Sequence, residues 1–132
     1  KTNSTDLQYA VIEGVSFGIL DGVNSILKVN KNFDKIFMVG GGSKSSFWIE
    51  LLASLLNRKL SVCKQSEFGA ALGVARLAMY IDDHISDKNK IIRDIQVSNQ
   101  FQPKSSNMDL LMKRYEIWRD LYTSNKKMNL SI

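Results

Sequence analysis

The sequence predicts an α/β domain in the order helix, strand, helix, strand, helix, with a further helix at the C-terminus. Three observations carry this reading. Ile36-Phe37-Met38-Val39 is apolar at every position, the pattern of a strand covered on both faces, as in a parallel sheet. A glycine loop, Gly40-Gly41-Gly42-Ser43, follows at once and leads into an amphipathic stretch. A second short run, Leu60-Ser61-Val62-Cys63-Lys64, comes after that stretch, which is the spacing of two parallel strands joined by a helix.

The elements follow in order. Thr5-Asp6-Leu7-Gln8 has capping-box spacing and predicts a helix start. Apolar residues at Leu7, Ala10, Val11, Val15, Phe17, Ile19, Leu20, Val23, Ile26 and Leu27 carry this helix to about Val29. Gly14, Gly18 and Gly22 fall on one face of it. Each glycine costs a helix about 1 kcal/mol against alanine, so a close approach by another backbone is expected there. Glu13 and Asp21 argue against a membrane-packing version of the same spacing. Residues 30–34 read as a turn before the first strand.

Ser45 is a good N-cap for a helix from Ser46 to about Asn57. Its expected apolar face is Phe47, Trp48, Leu51, Leu52, Leu55 and Leu56. After the strand at 60–64, a helix rich in small residues is expected from Phe68 to about Ile81. Residues 82–107 are polar, hold the single proline, Pro103, and are expected to run irregularly over the surface. Ser106 can cap a last helix to about Lys126, with Leu111, Tyr115, Trp118 and Tyr122 on one stripe.

Composition narrows the function classes. At 132 residues, one domain is expected. With 44% hydrophobic and 23% charged residues, the chain has the balance of a soluble globular protein. No stretch reads as the roughly 20 apolar residues of a membrane span. Cys63 is the single cysteine and His84 the single histidine, so an internal disulfide is excluded and the two cannot build a metal site by themselves. Cys63 reads as a small buried hydrophobe, His84 as structural or solvated. A reduced, cytoplasmic setting is expected. The net charge of +5 is scattered along the chain without the interleaved aromatics of an RNA-binding face, so a solvated surface is the better reading. The chain opens on Lys1 rather than Met, and a piece of a longer protein is expected.

The glycine loop fails two familiar templates. A phosphate-cradling P-loop needs its last glycine followed directly by Lys-Ser or Lys-Thr, but Ser43 separates Gly42 from Lys44. A dinucleotide fingerprint needs a third glycine, and Ser45 holds that place. A Rossmann-type oxidoreductase is therefore disfavoured. What remains is a loop that lets a ligand lie against main chain at a helix N-terminus, or a tight turn with no ligand. Lys44 reads as a solvated lysine or as a phosphate clamp.

Four segments together carry a more specific signal. "MVGGGSKSSFWIELLASLLNRKLSV" followed by "EFGAALGVARLA" resembles the C-terminal domain of the FGGY carbohydrate kinases, the xylulose kinases among them most of all. Upstream, "AVIEGVSFGILDGVNSI" resembles that family's glutamate-glycine helix; downstream, "RYEIWRDLY" resembles its closing helix. The resemblance covers nearly the whole chain. It implies the actin-like ATPase fold, a ribonuclease-H-like domain here incomplete, with residues 1–132 as the C-terminal portion of the second, ATP-binding domain. It implies ATP and Mg²⁺ as cofactors of a longer parent, and transfer of the γ-phosphoryl group to a sugar hydroxyl, with D-xylulose as the expected sugar. Carried over by position, Gly41, Gly42 and Ser43 lie along adenine and ribose, Ser46 is a polar adenine contact, and Gly40 serves the turn.

The same resemblance marks what is missing. The family's sugar-binding part, its other phosphate loops and its catalytic aspartate all belong upstream. Phosphoryl transfer needs positioning, metal and base together, so no catalytic and no metal-binding residue is placed in this chain, and the piece alone is expected to be inactive. Asp6, Asp21 and Asp34 read as caps or surface charges. The pattern Ala71-Leu72-Gly73-Val74-Ala75 departs mildly from the family's A-L-G-A-A. A sheet cut short leaves strand 36–39 with a bare edge, which invites self-association. A standalone, non-catalytic actin-like nucleotide-binding or interaction module is the rival reading.

Overall fold

The computed structural model describes residues 2–29, 33, 35–64, 66–81, 91, 96–104, 106 and 108–129. Four helices and three strands alternate along it. They are α1 (Ser4–Val29), β1 (Ile36–Met38), α2 (Ser46–Leu56), β2 (Leu60–Cys63), α3 (Gly69–Ile81), β3 (Val97–Phe101) and α4 (Met108–Asn129). Two 3-10 turns, Gly41–Lys44 and Ser66–Phe68, precede α2 and α3. The expected turn at 30–34, Asp34 and His84 lie wholly or mostly outside the described residues.

The first helix starts earlier than Thr5. Asn3 and Asp6 cap it reciprocally: Asp6 N–H donates to Asn3 Oδ1 and Asn3 N–H to Asp6 Oδ2, both at 2.9 Å. This is the capping-box arrangement with different residues in the two roles. The helix is 26 residues long with a mean hydropathy of 1.4 over its most apolar 18-residue window, enough by length and composition to cross a membrane. That corrects the expectation that no stretch approaches a span. What it buries against α2 and α4 is, however, partly polar: Glu13, Ser16, Phe17 and Leu20. Leu7, Val11, Val15 and Ile26 stay exposed.

The glycine face of α1 meets no other backbone. A Cβ on Gly14 would have only the Trp118 indole as neighbour, at 3.8 Å, and one on Gly18 or Gly22 would meet nothing within 4 Å. The close approach expected there is absent among the described residues.

The sheet has the order β1-β2-β3. β1 and β2 run parallel, with Ile36 opposite Leu60 and Met38 opposite Val62. The chain passes from one to the other through α2, as the spacing of the two apolar runs requires. β3 is a correction to the irregular surface run expected over 82–107. It pairs antiparallel with β2, Leu60 opposite Phe101 and Val62 opposite Asn99, and its register shifts at Val62/Cys63. Ser98 is the residue that the shift leaves over, and its hydroxyl donates to the Val62 carbonyl at 3.0 Å. Main-chain pairing defines this strand, since four of its five residues are exposed.

β1 is likewise not covered on both faces. Its three residues are half-buried and Val39 is 53% exposed. α2 covers one face of the sheet through Ile49, Leu52 and Ala53, which pack with Leu60 and Val62. α3 buries none of its residues, so it does not close the other face.

α2 lies between two cores. On the side away from the sheet, Leu51 and Leu55 join Phe17 and Leu20 of α1 and Leu111 and Tyr115 of α4. Ile49 and Ala53, outside the single apolar face expected from the sequence, are almost fully buried on the sheet side. The helix ends at Asn57, held in the left-handed region at φ 48°, with Arg58 N–H bonded to the Ala53 carbonyl at 3.1 Å. Asparagine is one of the few side chains that accept that conformation.

The contact between α1 and α4 is partly ionic. Arg114 donates to Glu13 Oε2 at 2.8 Å. The Glu13 side chain is 7% exposed and its Oε1 has no hydrogen-bond partner. A buried carboxylate is tolerated only with its counter-charge in place. Arg114→Met should therefore cost about 2–3 kcal/mol and Glu13→Gln about 1 kcal/mol, whereas Glu13→Met/Arg114→Met together should recover most of the loss. Urea unfolding of the four chains checks this.

Tyr115 gives a pH signature. Burial, and then its hydrogen bond to Asp21, hold the phenol above its ordinary value of 10.0. A group raised on folding contributes fully below its unfolded value and loses that contribution as pH climbs through the folded one. Stability should thus decline above about pH 10, and Tyr115→Phe should flatten the decline. Urea midpoints across the alkaline range measure it, with Tyr9 and Cys63, also raised chiefly by burial, contributing to the decline that remains.

Candidate functional site

The glycine loop connects the end of β1 to the start of α2. Gly40 takes φ +81° and ψ −173°, a conformation open to glycine and strained for other residues. The next four residues wind into the 3-10 turn Gly41–Lys44, tied by Ser43 N–H to the Gly40 carbonyl and Ser45 N–H to the Gly42 carbonyl, each at 3.1 Å. Ser45 then caps α2, its hydroxyl oxygen accepting from Trp48 N–H at 3.3 Å, as the sequence predicts.

Each candidate residue has a distinct place. Gly41 is exposed, and a Cβ there would meet nothing within 4 Å. Ser46 is exposed at the first position of α2, where main-chain N–H groups and the helix dipole face outward. Gly42 is half-buried beneath the Trp48 ring. A Cβ on it would lie 2.9 Å from Trp48 Cε3 and closer still to Cζ3. Glycine is needed there for the tryptophan, whatever else lies near. Ser43 is buried, and its hydroxyl donates inward to the Gly40 carbonyl at 2.7 Å. Its side chain is therefore committed inside the protein. Lys44 is exposed at the end of the turn.

The loop is held from two sides. Trp48 Nε1–H donates to Ser16 Oγ on α1 at 2.8 Å, and the Ser16 O–H in turn donates to the Ile12 carbonyl at 2.7 Å. On the other side, Gly40 N–H donates to the Ser66 carbonyl at 2.7 Å, and the Ser43 and Ser66 hydroxyls lie 2.6 Å apart. A Cβ on Gly69 would come within 3.1 Å of Val39 Cβ, so the start of α3 sits close against the strand end. Ser16 and Ser66 escape sequence reasoning: Ser16 is an unremarked position within the segment that resembles the family's first helix, Ser66 lies just before the last motif, and neither gives a sign of its partner.

The other reactive groups do not converge on this loop. Cys63 is partly buried, and burial pushes its thiol up, away from the thiolate needed for nucleophilic chemistry. Among the described residues no three His, Cys, Asp or Glu side chains gather as a metal site.

The candidate site is thus a strand–glycine turn–helix junction, and comparison with known proteins gives its family. Residues 1–81 match the C-terminal domain of the FGGY family of carbohydrate kinases, and the chain belongs to that family. Within it, the similarity runs to xylulose kinases. That of Staphylococcus epidermidis is 28% identical over 128 residues, 96% of this chain and 26% of the relative. The crystal structure of a xylulose kinase from Brucella ovis superposes with a TM-score of 0.80 at 26% identity, over 97% of this chain and 26% of that one. A gluconate kinase from Lactobacillus acidophilus also superposes, with a TM-score of 0.67 at 25% identity, over 90% of this chain and 24% of that one. The chain thus spans about a quarter of the length of the relatives it matches.

The Gly42–Trp48 contact makes a direct prediction. Gly42→Ala should destabilise the chain by about 1–3 kcal/mol through overpacking. In a chain already carrying Trp48→Leu the same substitution should cost far less, because the clashing ring is gone. Thermal melts of the two single variants and the double variant give the coupling.

Proposed function

We propose that this chain forms the adenosine-side wall of the ATP site in a sugar kinase. The parent transfers the ATP γ-phosphate to a sugar hydroxyl, with D-xylulose giving D-xylulose 5-phosphate. The observation that carries this reading is the exposure of both Gly41 and Ser46 at the junction between β1 and α2. The first is exposed main chain with open space beside it, and the second is exposed at a helix N-terminus. A flat base needs such a surface to approach closely, and the helix end favours nearby negative charge. Gly42 and Ser43 contribute to the same wall through main chain, since the Trp48 ring and the inward hydroxyl occupy their side-chain directions.

Magnesium enters this reading with the nucleotide, bound through phosphate oxygens and acids of the parent's other parts. The base that activates the sugar hydroxyl also belongs to those parts, so the chain by itself transfers no phosphate. D-Xylulose rests on the named relatives. The likeness to a gluconate kinase structure means that the fold alone does not choose the sugar. A cytoplasmic setting accords with an ATP-using enzyme. The outer edge of β1 has no partner strand among the described residues. In the parent it accepts a neighbouring strand, and in the isolated chain it pairs with a second copy.

The test is ATP-dependent phosphorylation of xylulose, ribulose, glycerol and gluconate by the full-length parent and by the 132-residue chain, with sedimentation of the chain alone. The expected outcome is turnover of xylulose by the parent, none by the chain, and self-association of the chain. Turnover by the chain would show a catalytic site within it. Silence of both would reject the kinase reading, and a monodisperse monomer would reject pairing through strand 36–39.

A further inference from the structure

The glycine loop is closed against the start of α3 by a ring of hydrogen bonds, and its directions can be assigned. Ser43 has one hydroxyl proton, and its bond to the Gly40 carbonyl at 2.7 Å uses it. The 2.6 Å contact between the two hydroxyls therefore has Ser66 as donor and Ser43 as acceptor. The Gly40 N–H returns the connection to the Ser66 carbonyl at 2.7 Å. The circuit runs from Ser66 hydroxyl to Ser43 hydroxyl to Gly40 carbonyl, and from Gly40 N–H back to Ser66. Both serines are buried, at 8% and 6% exposure, so water does not compete, and bonds in such a chain strengthen one another.

The ring fixes a residue that has little choice of its own. Gly40 stands at φ +81°, in a region from which glycine escapes as easily as it enters. Gly41 follows it directly, and the turn ends one residue before the cap of α2. The orientation of the exposed Gly41 main chain relative to Ser46 thus depends on a loop whose first residue is held at both its N–H and its carbonyl by this circuit. The close seat of Gly69 on Val39 keeps the two sides of the ring at a fixed separation.

The geometry points to Ser66, acting through Ser43, as a positioning residue for the nucleotide site. It touches no ligand; it presets the glycine turn so that the main chain at Gly41 and the group at Ser46 face one flat base together. This assignment rests on the adenosine reading of the loop and adds to it a residue 20 positions beyond the last candidate, in a different turn.

The experiment measures binding of AMP, ADP, ATP and GTP to the full-length parent by calorimetry. The chains compared are wild type, Ser43→Ala, Ser66→Ala, the double variant and Ser66→Cys, each at a temperature where circular dichroism shows it folded. Either alanine should weaken all three adenine nucleotides by about three- to tenfold, the size of one lost hydrogen bond. The ratios among AMP, ADP and ATP should stay unchanged, and the preference for ATP over GTP should shrink. The double variant should lose no more than the worse single one, since either change opens the ring. Ser66→Cys, which keeps a weaker donor, should fall between. A merely structural role would lower the melting temperature and leave the affinity and base preference of the folded chain alone. That result, or additive losses in the double variant, would overturn the assignment while leaving the adenosine reading standing. If wild type binds no nucleotide, the adenosine reading falls and takes the assignment with it. Should Ser66→Ala not fold, Ser43→Ala reads the same ring.

Discussion

The position of Trp48 is the constraint on which the rest of this structure depends. Its indole packs in both cores, the one between helices and the one beneath the sheet. Its N–H is bonded to Ser16 on the first helix, and its ring lies over Gly42. One side chain therefore relates α1, α2, the sheet and the loop. A tryptophan N–H turned into a packed core needs an acceptor, and Ser16 Oγ is oriented to accept because its own O–H donates to the Ile12 carbonyl. The shape of the loop is set by the ring from below before any ligand is considered.

Polar groups also organise the face between α1 and α4. The Glu13–Arg114 pair and the Tyr115–Asp21 bond join the two helices, while the Phe17 ring tilts against Tyr115 and Trp118, which are stacked on each other. The Glu13–Arg114 pair adds little net stability, because a desolvated carboxylate gives back much of what its partner supplies. The polar content of this buried face reconciles α1 with its apolar composition. A helix that can pass for a membrane segment by length and hydropathy turns an ion pair, a serine hydroxyl and the Asp21 carboxylate toward its neighbours.

The sequence made some of this legible and hid the rest for physical reasons. The β1–loop–α2–β2 unit is readable because apolar runs, glycines and the Ser45 cap all act locally. The family could be read from the order of four such segments. β3 is not readable, since Val97–Phe101 is held by main-chain pairing and shows no apolar pattern. Two-sided burial of α2 was obscured because Ile49 and Ala53 fall off the face that Trp48, Leu52 and Leu55 suggest. The glycines of α1 mislead because spacing reports a shared face without saying what occupies it. At the site, Gly41 and Ser46 are exposed, and no spacing rule links Ser43 to Ser66 across 23 residues.

The exposed third helix adds a mechanical consequence. α3 has 13 residues, none of them buried, and its first turn sits on Val39 and next to the turn that carries Ser66. At 1.5 Å per residue it is a rod of about 20 Å, so a tilt of about 5° at its base carries its far end about 2 Å. The strand end and the glycine loop lie at the pivot of this rod. A displacement too small to alter any bond at the pivot becomes, at Ile81, a movement comparable to the width of a side chain, and a body resting on that end of α3 would have leverage over the loop.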